Sequence, residues 1–285
     1  MINYSFIIPH YNSPELLNRL LDSIPQREDI EVVVVDDNSN WDKKPNVSRT
    51  DVKIIYLQAK ESKGAGRARN IGLKHANGKW LLFADSDDYY INNFVDKLDL
   101  FKNTEYDILF FDYDTNLSSN QTVFHERLTQ MLHGGKIDRA NFKHSLNAPW
   151  NKMYKREFIK DNNIFFEEIP IQNDAYFVHK ASSLTDNFYY INDKLYFYEI
   201  NLNGITRKKR RNIEDVKRSI TTTIYTDKLK AISGAWDCIL LTLNKQYKPN
   251  YGTIFYYQQQ LRRVKSGLIW YMINKFIHKR ILKNK

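Results

Sequence analysis

The chain has 285 residues, of which 42% are hydrophobic, 14% aromatic and 27% charged, a composition that supports a large packed core and excludes a disordered or low-complexity protein. Its formal charge of +10 is local: residues 207–211 hold five basic side chains and residues 261–285 hold eight with no acid, leaving 30 basic against 33 acidic residues elsewhere. Such placement implies a local anionic partner rather than a generally cationic surface.

In chain order, residues 4–8 read as a strand and 14–24 as a helix. Residues 31–35 are β-branched and continuous, as in a strand buried on both faces. Residues 52–57 form a third strand. Residues 67–76 are a helix stopped by Asn77-Gly78, 80–84 a fourth strand, 91–101 a helix and 107–113 a further strand. This alternation predicts an α/β domain with a largely parallel sheet covered by helices. The middle of the chain is mixed, with helices expected at 155–161 and 173–182 and an aromatic strand at 188–198. From residue 212 onward the pattern is helical. No internal repeat is present, and the longest apolar runs, such as 30–35, are far too short to span a bilayer.

The single cysteine, Cys238, excludes an intramolecular disulfide and fits a reducing compartment. The first residues lack a basic segment followed by a long apolar one, so no signal peptide is expected. The Asn-x-Ser/Thr triplets at Asn46, Asn116 and Asn120 then read as chance.

In a parallel α/β sheet ligands bind outside the carboxyl ends of the strands. Here those ends carry Pro9-His10-Tyr11-Asn12, Asp36-Asp37-Asn38-Ser39 and Asp85-Ser86-Asp87-Asp88. Three carboxylates within four residues repel one another unless a cation sits among them, and oxygen ligands suit Mg²⁺ or Mn²⁺. The alternative is an acidic cap for the helix that follows. The Asp36–Asp37 pair could accept hydrogen bonds from a base or ribose, or form an ordinary Asp-Asn turn.

Gly64-Ala65-Gly66-Arg67-Ala68-Arg69-Asn70 lies between a strand and a helix, where a helix N-terminus and Arg67 or Arg69 could hold a diphosphate. The dinucleotide-binding pattern is poorly met, because Arg69 stands where a third glycine is needed. The segment 72–80 misses the phosphate-loop pattern in both spacing and final residue. Asp174, in Gln172-Asn173-Asp174-Ala175-Tyr176-Phe177, is either a general base or a helix cap. Neither His10 nor His179 acquires a role from the sequence.

Taken together and in this order, the segments resemble an inverting family 2 glycosyltransferase of the GT-A fold, over roughly residues 3–206. Trp150-Asn151-Lys152-Met153-Tyr154 adds a further matching piece. The resemblance implies a GT-A (Rossmann-like) sheet, mixed but mostly parallel and flanked by helices. It implies a nucleotide-sugar half at about 1–114, an acceptor half at about 115–206, and a basic helical region at 207–285. Pro9, Tyr11, Asn12, Asp36, Asp37, Gly64, Arg69, Asp85 and Ser86 would bind the nucleotide. Asp87 would ligate Mn²⁺ or Mg²⁺, and Asp174 would be the catalytic base. Trp150, Asn151 and Lys152 would meet the acceptor, with core packing the alternative for Trp150. The family more often has Glu-Asp where this chain has Asn173-Asp174, and often Gly at Asn38.

The implied reaction moves a sugar from a nucleotide-sugar, usually a UDP-sugar, to a hydroxyl of a glycan or lipid-linked glycan in cell-surface polysaccharide synthesis. Apolar residues at Leu261, Val264, Leu268, Met272, Phe276 and Ile277 recur at near-helical spacing among Lys and Arg. Such a helix would lie on an anionic membrane surface, making the protein peripheral on the cytoplasmic face; packing on its own domain is the alternative. Two rival functions remain. An NAD-dependent oxidoreductase conflicts with Arg69, and a nucleic-acid-binding protein leaves the acidic strand ends unexplained, so no nucleic-acid partner is expected.

Overall fold

A computed structural model describes residues 1–62, 64–116, 122–169, 172–200 and 213–235. Eight strands form one mixed sheet. They are β1 (Tyr4–His10), β2 (Ile30–Asp36), β3 (Val52–Tyr56), β4 (Trp80–Phe83), β5 (Tyr89–Tyr90), β6 (Ile108–Thr115), β7 (Lys152–Lys155) and β8 (Phe188–Tyr198). Their order is β3-β2-β1-β4-β7-β6-β8-β5. The first four are parallel, with Ile7 opposite both Val33 and Phe83. Then β7 runs antiparallel between β4 and β6. Next, β8 pairs parallel with β6 through a bulge at Asp112, and β5 pairs antiparallel with β8.

The helices are α1 (Pro14–Ser23), α2 (Ala65–His75), α3 (Phe94–Asp99), α4 (Thr122–His133), α5 (Lys136–Lys143), α6 (Arg156–Asp161), α7 (Ala175–Leu184) and α8 (Ile213–Ile232). Proline opens α1, where its missing N–H costs nothing and its fixed φ suits the first turn. Every residue of β1 and β4 is buried, which a sheet covered on both faces requires.

The core is aromatic and holds the second half of the chain against the first. Phe166 stacks on Phe177 at 4.0 Å, and Phe83 at the end of β4 meets both edge-on. Burying rings of this size stabilises by roughly 1.5–3 kcal/mol each. The result is that the loop leading into α7 lies beside the carboxyl end of β4, and the site depends on that placement.

The strand and helix expectations agree with the structure to within a few residues along β1 to β4. Residues 91–101 differ: they yield only the short α3, because the Ile91 N–H is held by the Leu195 carbonyl of β8 and Asn93 takes a left-handed conformation (φ +63°) just before the first helical turn. Among the described residues, no helix is long and apolar enough to cross a membrane. The expected boundary near 207–212 and the basic segment 261–285 lie outside the described residues.

Candidate active site

The ends of β1 and β2 form one hydrogen-bonded rim. Asn12 and Asn38 adopt φ of +55° and +63°, left-handed conformations that asparagine tolerates better than most side chains. The Asn12 N–H donates to Ser39 Oγ, and its Oδ1 accepts from the Asn40 N–H, both at 2.8 Å. The Ser13 N–H donates to His10 Nε2, which puts the imidazole proton on Nδ1, 2.8 Å from Asp36 Oδ1.

Asp36 is 1% exposed. Its two oxygens accept from His10, from the Ser39 hydroxyl and from the Ser39 N–H. Burial would raise this carboxyl, but the hydrogen bonds from His10 and Ser39 outweigh it and hold it below the usual carboxylate range. The Asp36 carboxylate, expected from the sequence to meet the nucleotide, joins the two loops through these bonds.

Asp37 sits one residue nearer the glycine loop. Its Oδ2 accepts from the Gly64 N–H at 2.8 Å, and its carbonyl accepts from Ser62. Pro9 lies where β1 is paired with β2 alone, so its missing N–H breaks no ladder bond to β4. Tyr11 stands on the rim with 52% of its surface exposed. The Ser86 hydroxyl is 3.2 Å from that of Ser13, which ties the third strand end to the first.

Gly66 seats α2 against the chain that precedes α7. A Cβ there would lie 2.0 Å from the Glu167 carbonyl oxygen and 2.9 Å from Asn173 Cβ. Arg69, one turn further on and only 4% exposed, turns its guanidinium toward two elements. Its Nη1 donates to Asn173 Oδ1 at 2.8 Å, its Nη2 donates to Asp85 Oδ1, and the Phe166 ring lies beneath it.

Asp85 follows β4. Its N–H donates to the Tyr196 hydroxyl, which in turn donates to Asp88 Oδ2 at 2.7 Å. Asp88 also accepts from the Glu199 N–H. It is fully buried, and burial together with Asp85 and Asp87 raises its carboxyl well above the ordinary range. Asp88 therefore anchors the end of β8. Asp87 is pushed up to about 6 by burial, by Asp85 and by Glu199, with Arg19 opposing. Arg19 donates to the Asp87 carbonyl and pairs with Glu199.

Among the described residues no three His, Cys, Asp or Glu side chains gather as a metal cage. The donor set nevertheless fits Mg²⁺ or Mn²⁺, which proteins often hold with one or two carboxylates plus phosphate oxygens. A cation would relieve the repulsion that disfavours ionised Asp87.

Asp174 immediately precedes α7, following Gln172 in a left-handed conformation (φ +59°), a backbone strain of the kind that concentrates at functional sites. Burial raises the Asp174 carboxyl, Arg69 opposes that rise and Asp85 adds to it. Arg69 thus brings Asp85, Asn173 and Asp174 into one neighbourhood.

The three residues expected to meet the acceptor are buried. Trp150, 5% exposed, is stacked on Tyr196 and Tyr198 at 5.0 and 5.1 Å, with Tyr113 edge-on, so its ring packs in the aromatic core. Asn151 donates to the Phe111 carbonyl and accepts from Lys152. Lys152 is 1% exposed. The physical reason is topological: β7 is an inner strand with β4 and β6 on its two sides, so its entry is enclosed. Tyr196 and Arg19 are contributors that sequence reasoning missed. Tyr196 lies within the aromatic run 188–198, but nothing local marks it among the other tyrosines there.

The model of "Glycosyl transferase family 2" matches residues 5–162, more than half of the chain. Poly(ribitol-phosphate) beta-N-acetylglucosaminyltransferase TarS of Staphylococcus aureus is 29% identical over 216 residues, covering 72% of this chain and 36% of that protein. The chain therefore matches about a third of that relative's length. The crystal structure of S. aureus TarS 1–349 in complex with UDP-GlcNAc superimposes with a TM-score of 0.67 at 22% identity, over 91% of this chain and 80% of that one. The mannosyltransferase PcManGT from Pyrobaculum calidifontis, in complex with GDP-Man and Mn²⁺, gives 0.57 at 14% identity, over 99% and 81%. At such identities the structural likeness establishes the fold, which is the GT-A arrangement expected from the sequence.

Proposed function

The chain belongs to glycosyl transferase family 2, and from that premise we propose that it moves a sugar from a UDP-sugar to a hydroxyl of a glycan or lipid-linked glycan, with inversion, in cell-surface polysaccharide synthesis. The observation that carries this reading is Arg69, whose guanidinium joins Asp85 to the residue beside Asp174. The TarS name specifies N-acetylglucosamine transfer to poly(ribitol phosphate), which supports a UDP-linked donor and a cell-wall polymer as the first pair to assay.

In this reading Pro9, Tyr11, Asn12, Asp37, Gly64 and Ser86 line the nucleotide's place on the rim. Arg69 would meet the diphosphate and Asp85 the ribose. Asp87 would hold Mn²⁺ or Mg²⁺, an ion that neutralises charge building on a departing diphosphate. Asp174 takes the proton of the acceptor hydroxyl. That hydroxyl is a weak nucleophile until a carboxylate within hydrogen-bond reach accepts its proton, a contribution of roughly 10²–10⁴-fold. One base and no covalent intermediate give a single displacement on the face opposite the leaving group, hence inversion. The proposed setting is the cytoplasmic face of the membrane.

The test is calorimetry with UDP in the presence and absence of Mn²⁺, combined with sugar transfer by the native protein and by Asp174→Asn. Metal-enhanced UDP binding is expected, with donor binding kept and transfer lost in the variant. Absence of UDP binding overturns the reading. Near-native turnover in Asp174→Asn removes that residue from the role of base.

A further inference from the structure

We propose that Arg19 is a positioning residue for the metal-holding aspartate: from α1 it fixes the main chain of Asp87 and leaves the Asp87 carboxylate to a divalent cation. The inference rests on the reading of Asp87 as the ligand of Mn²⁺ or Mg²⁺. It gives a task to a residue that lies outside the polar strand ends.

The placement of Arg19 follows from the helix that carries it. Leu17, Leu20 and Leu21 of α1 are buried in the core, which fixes the rotation of the helix, and Arg19 emerges from its half-buried flank. The guanidinium meets three groups. Its Nη2 donates to the Asp87 carbonyl, and its Nη1 pairs with Glu199 Oε2 at 2.5 Å. It also lies 5.2 Å from the centre of the Tyr89 ring, which is itself stacked on Phe197 at 4.6 Å.

Asp85 to Asp88 form a turn, closed by the Asp88 N–H donating to the Asp85 carbonyl at 3.0 Å. The carboxylates at the two ends of this turn are held, Asp85 by Arg69, and Asp88 by the Tyr196 hydroxyl and the Glu199 N–H. At Asp87 the grip of Arg19 is on the backbone instead. Glu199 meets Asp88 through its N–H and Arg19 through its carboxylate, so the contacts close a ring through Asp87, Arg19, Glu199 and Asp88. A carbonyl held in this way fixes the peptide plane that follows Asp87 and restricts how that residue can turn.

An arginine beside a cation site carries the wrong sign of charge, since like charges repel. Two features of Arg19 answer this. Glu199 pairs with the guanidinium and offsets its charge. The bond to Asp87 is made to the carbonyl, so Arg19 does not compete with a cation for the carboxylate. Mg²⁺ in particular demands near-ideal geometry, and partners that orient a ligand contribute roughly 10–100-fold to metal affinity.

The test is calorimetry of UDP binding with and without Mn²⁺ for the native protein, Arg19→Met and Arg19→Lys. Methionine keeps a long apolar stem and removes both the donors and the charge. Charge alone predicts tighter Mn²⁺ binding in this variant, because a repelling group is gone and Glu199 is left unpaired. Positioning predicts the opposite sign. The gain in UDP affinity given by Mn²⁺ should fall roughly tenfold in Arg19→Met, with metal-free UDP binding unchanged. Lysine keeps the charge but has no fork with which to hold both partners, so Arg19→Lys should lose part of the gain at constant net charge. A gain equal to or larger than native in Arg19→Met, or a native gain in Arg19→Lys, overturns the inference. Loss of metal-free UDP binding also overturns it, as the mark of general damage to the site. A Mn²⁺ effect that survives Asp87→Ala is a different result, which removes the ligand role on which the inference rests.

Discussion

Arg69 and Asn173, 104 positions apart in the chain, are joined by a 2.8 Å hydrogen bond from guanidinium to side-chain amide. The same guanidinium reaches Asp85, so one fork spans the strand end that carries the acidic motif and the loop that carries Asp174. Lysine keeps the charge but has no fork. Arg69→Lys should therefore reduce kcat/KM by roughly 10–100-fold through lost alignment, with a stability loss of about 1–2 kcal/mol because Asp85 is partly solvated. Steady-state kinetics and a urea titration on one preparation check this; wild-type kinetics in Arg69→Lys would leave the fork without a catalytic purpose.

Gly66→Ala tests the seating of α2. The new methyl group meets a backbone carbonyl, that of Glu167, which cannot swing aside as a long side chain could. Overpacking of this kind costs typically about 1–3 kcal/mol. A lower urea midpoint is expected, together with reduced turnover, since the displaced segment leads into Asp174. An unaltered midpoint would mean that the two segments separate easily.

Asp87→Ala should make UDP affinity the same with and without Mn²⁺. Calorimetry reads this directly. A metal effect that survives the substitution would assign the ion to other residues.

Stability should depend on pH through Lys152. Its folded-state pKa, about 7, lies below the ordinary value of 10.5. The group therefore carries no penalty above the unfolded value. The penalty grows as pH falls from about 10.5 toward 7 and is constant below that. Lys152→Met removes the buried charge, and the difference in melting temperature, variant minus native, should be more positive at pH 6 than at pH 10. Scanning calorimetry at the two pH values decides it; a difference independent of pH would mean that the ammonium is not penalised by burial.

Residues 261–285 support a prediction from sequence alone. With eight Lys/Arg and no acid, their deletion should release the protein from vesicles containing phosphatidylglycerol, while transfer to a soluble acceptor continues. Vesicle sedimentation measures the first and a transfer assay the second. Undiminished sedimentation would refute the membrane role of this segment.

The strands β1, β2 and β4 and the acidic residues at their ends were legible because continuous apolar runs stop abruptly at polar clusters, a local pattern. What surrounds Asp36 was not: its capture by His10 and Ser39 depends on two loops meeting in space. The same holds for β7. Lys-Met-Tyr-Lys has no strand signature of its own, and the segment is a strand only because β4 and β6 flank it. For that reason the sequence left Trp150 open between an acceptor contact and core packing, and gave no sign that Lys152 is buried. Residue composition suggests a role for an aromatic ring or a cation, whereas burial, which decides the role, is a property of the assembled sheet. Arg69 was expected from the sequence to meet an anion, whereas its hydrogen bond to Asn173 required the fold.

The two left-handed asparagines, Asn12 and Asn38, close turns that are already stitched to each other through Ser39 and Asn40. Loops that stiffen only upon capture give up torsional freedom at that moment and weaken the grip on their ligand. Here that freedom is surrendered when the polypeptide folds, so a nucleotide arriving at this edge would find its berth pre-organised, and its association should show little of the unfavourable entropy that accompanies loop ordering.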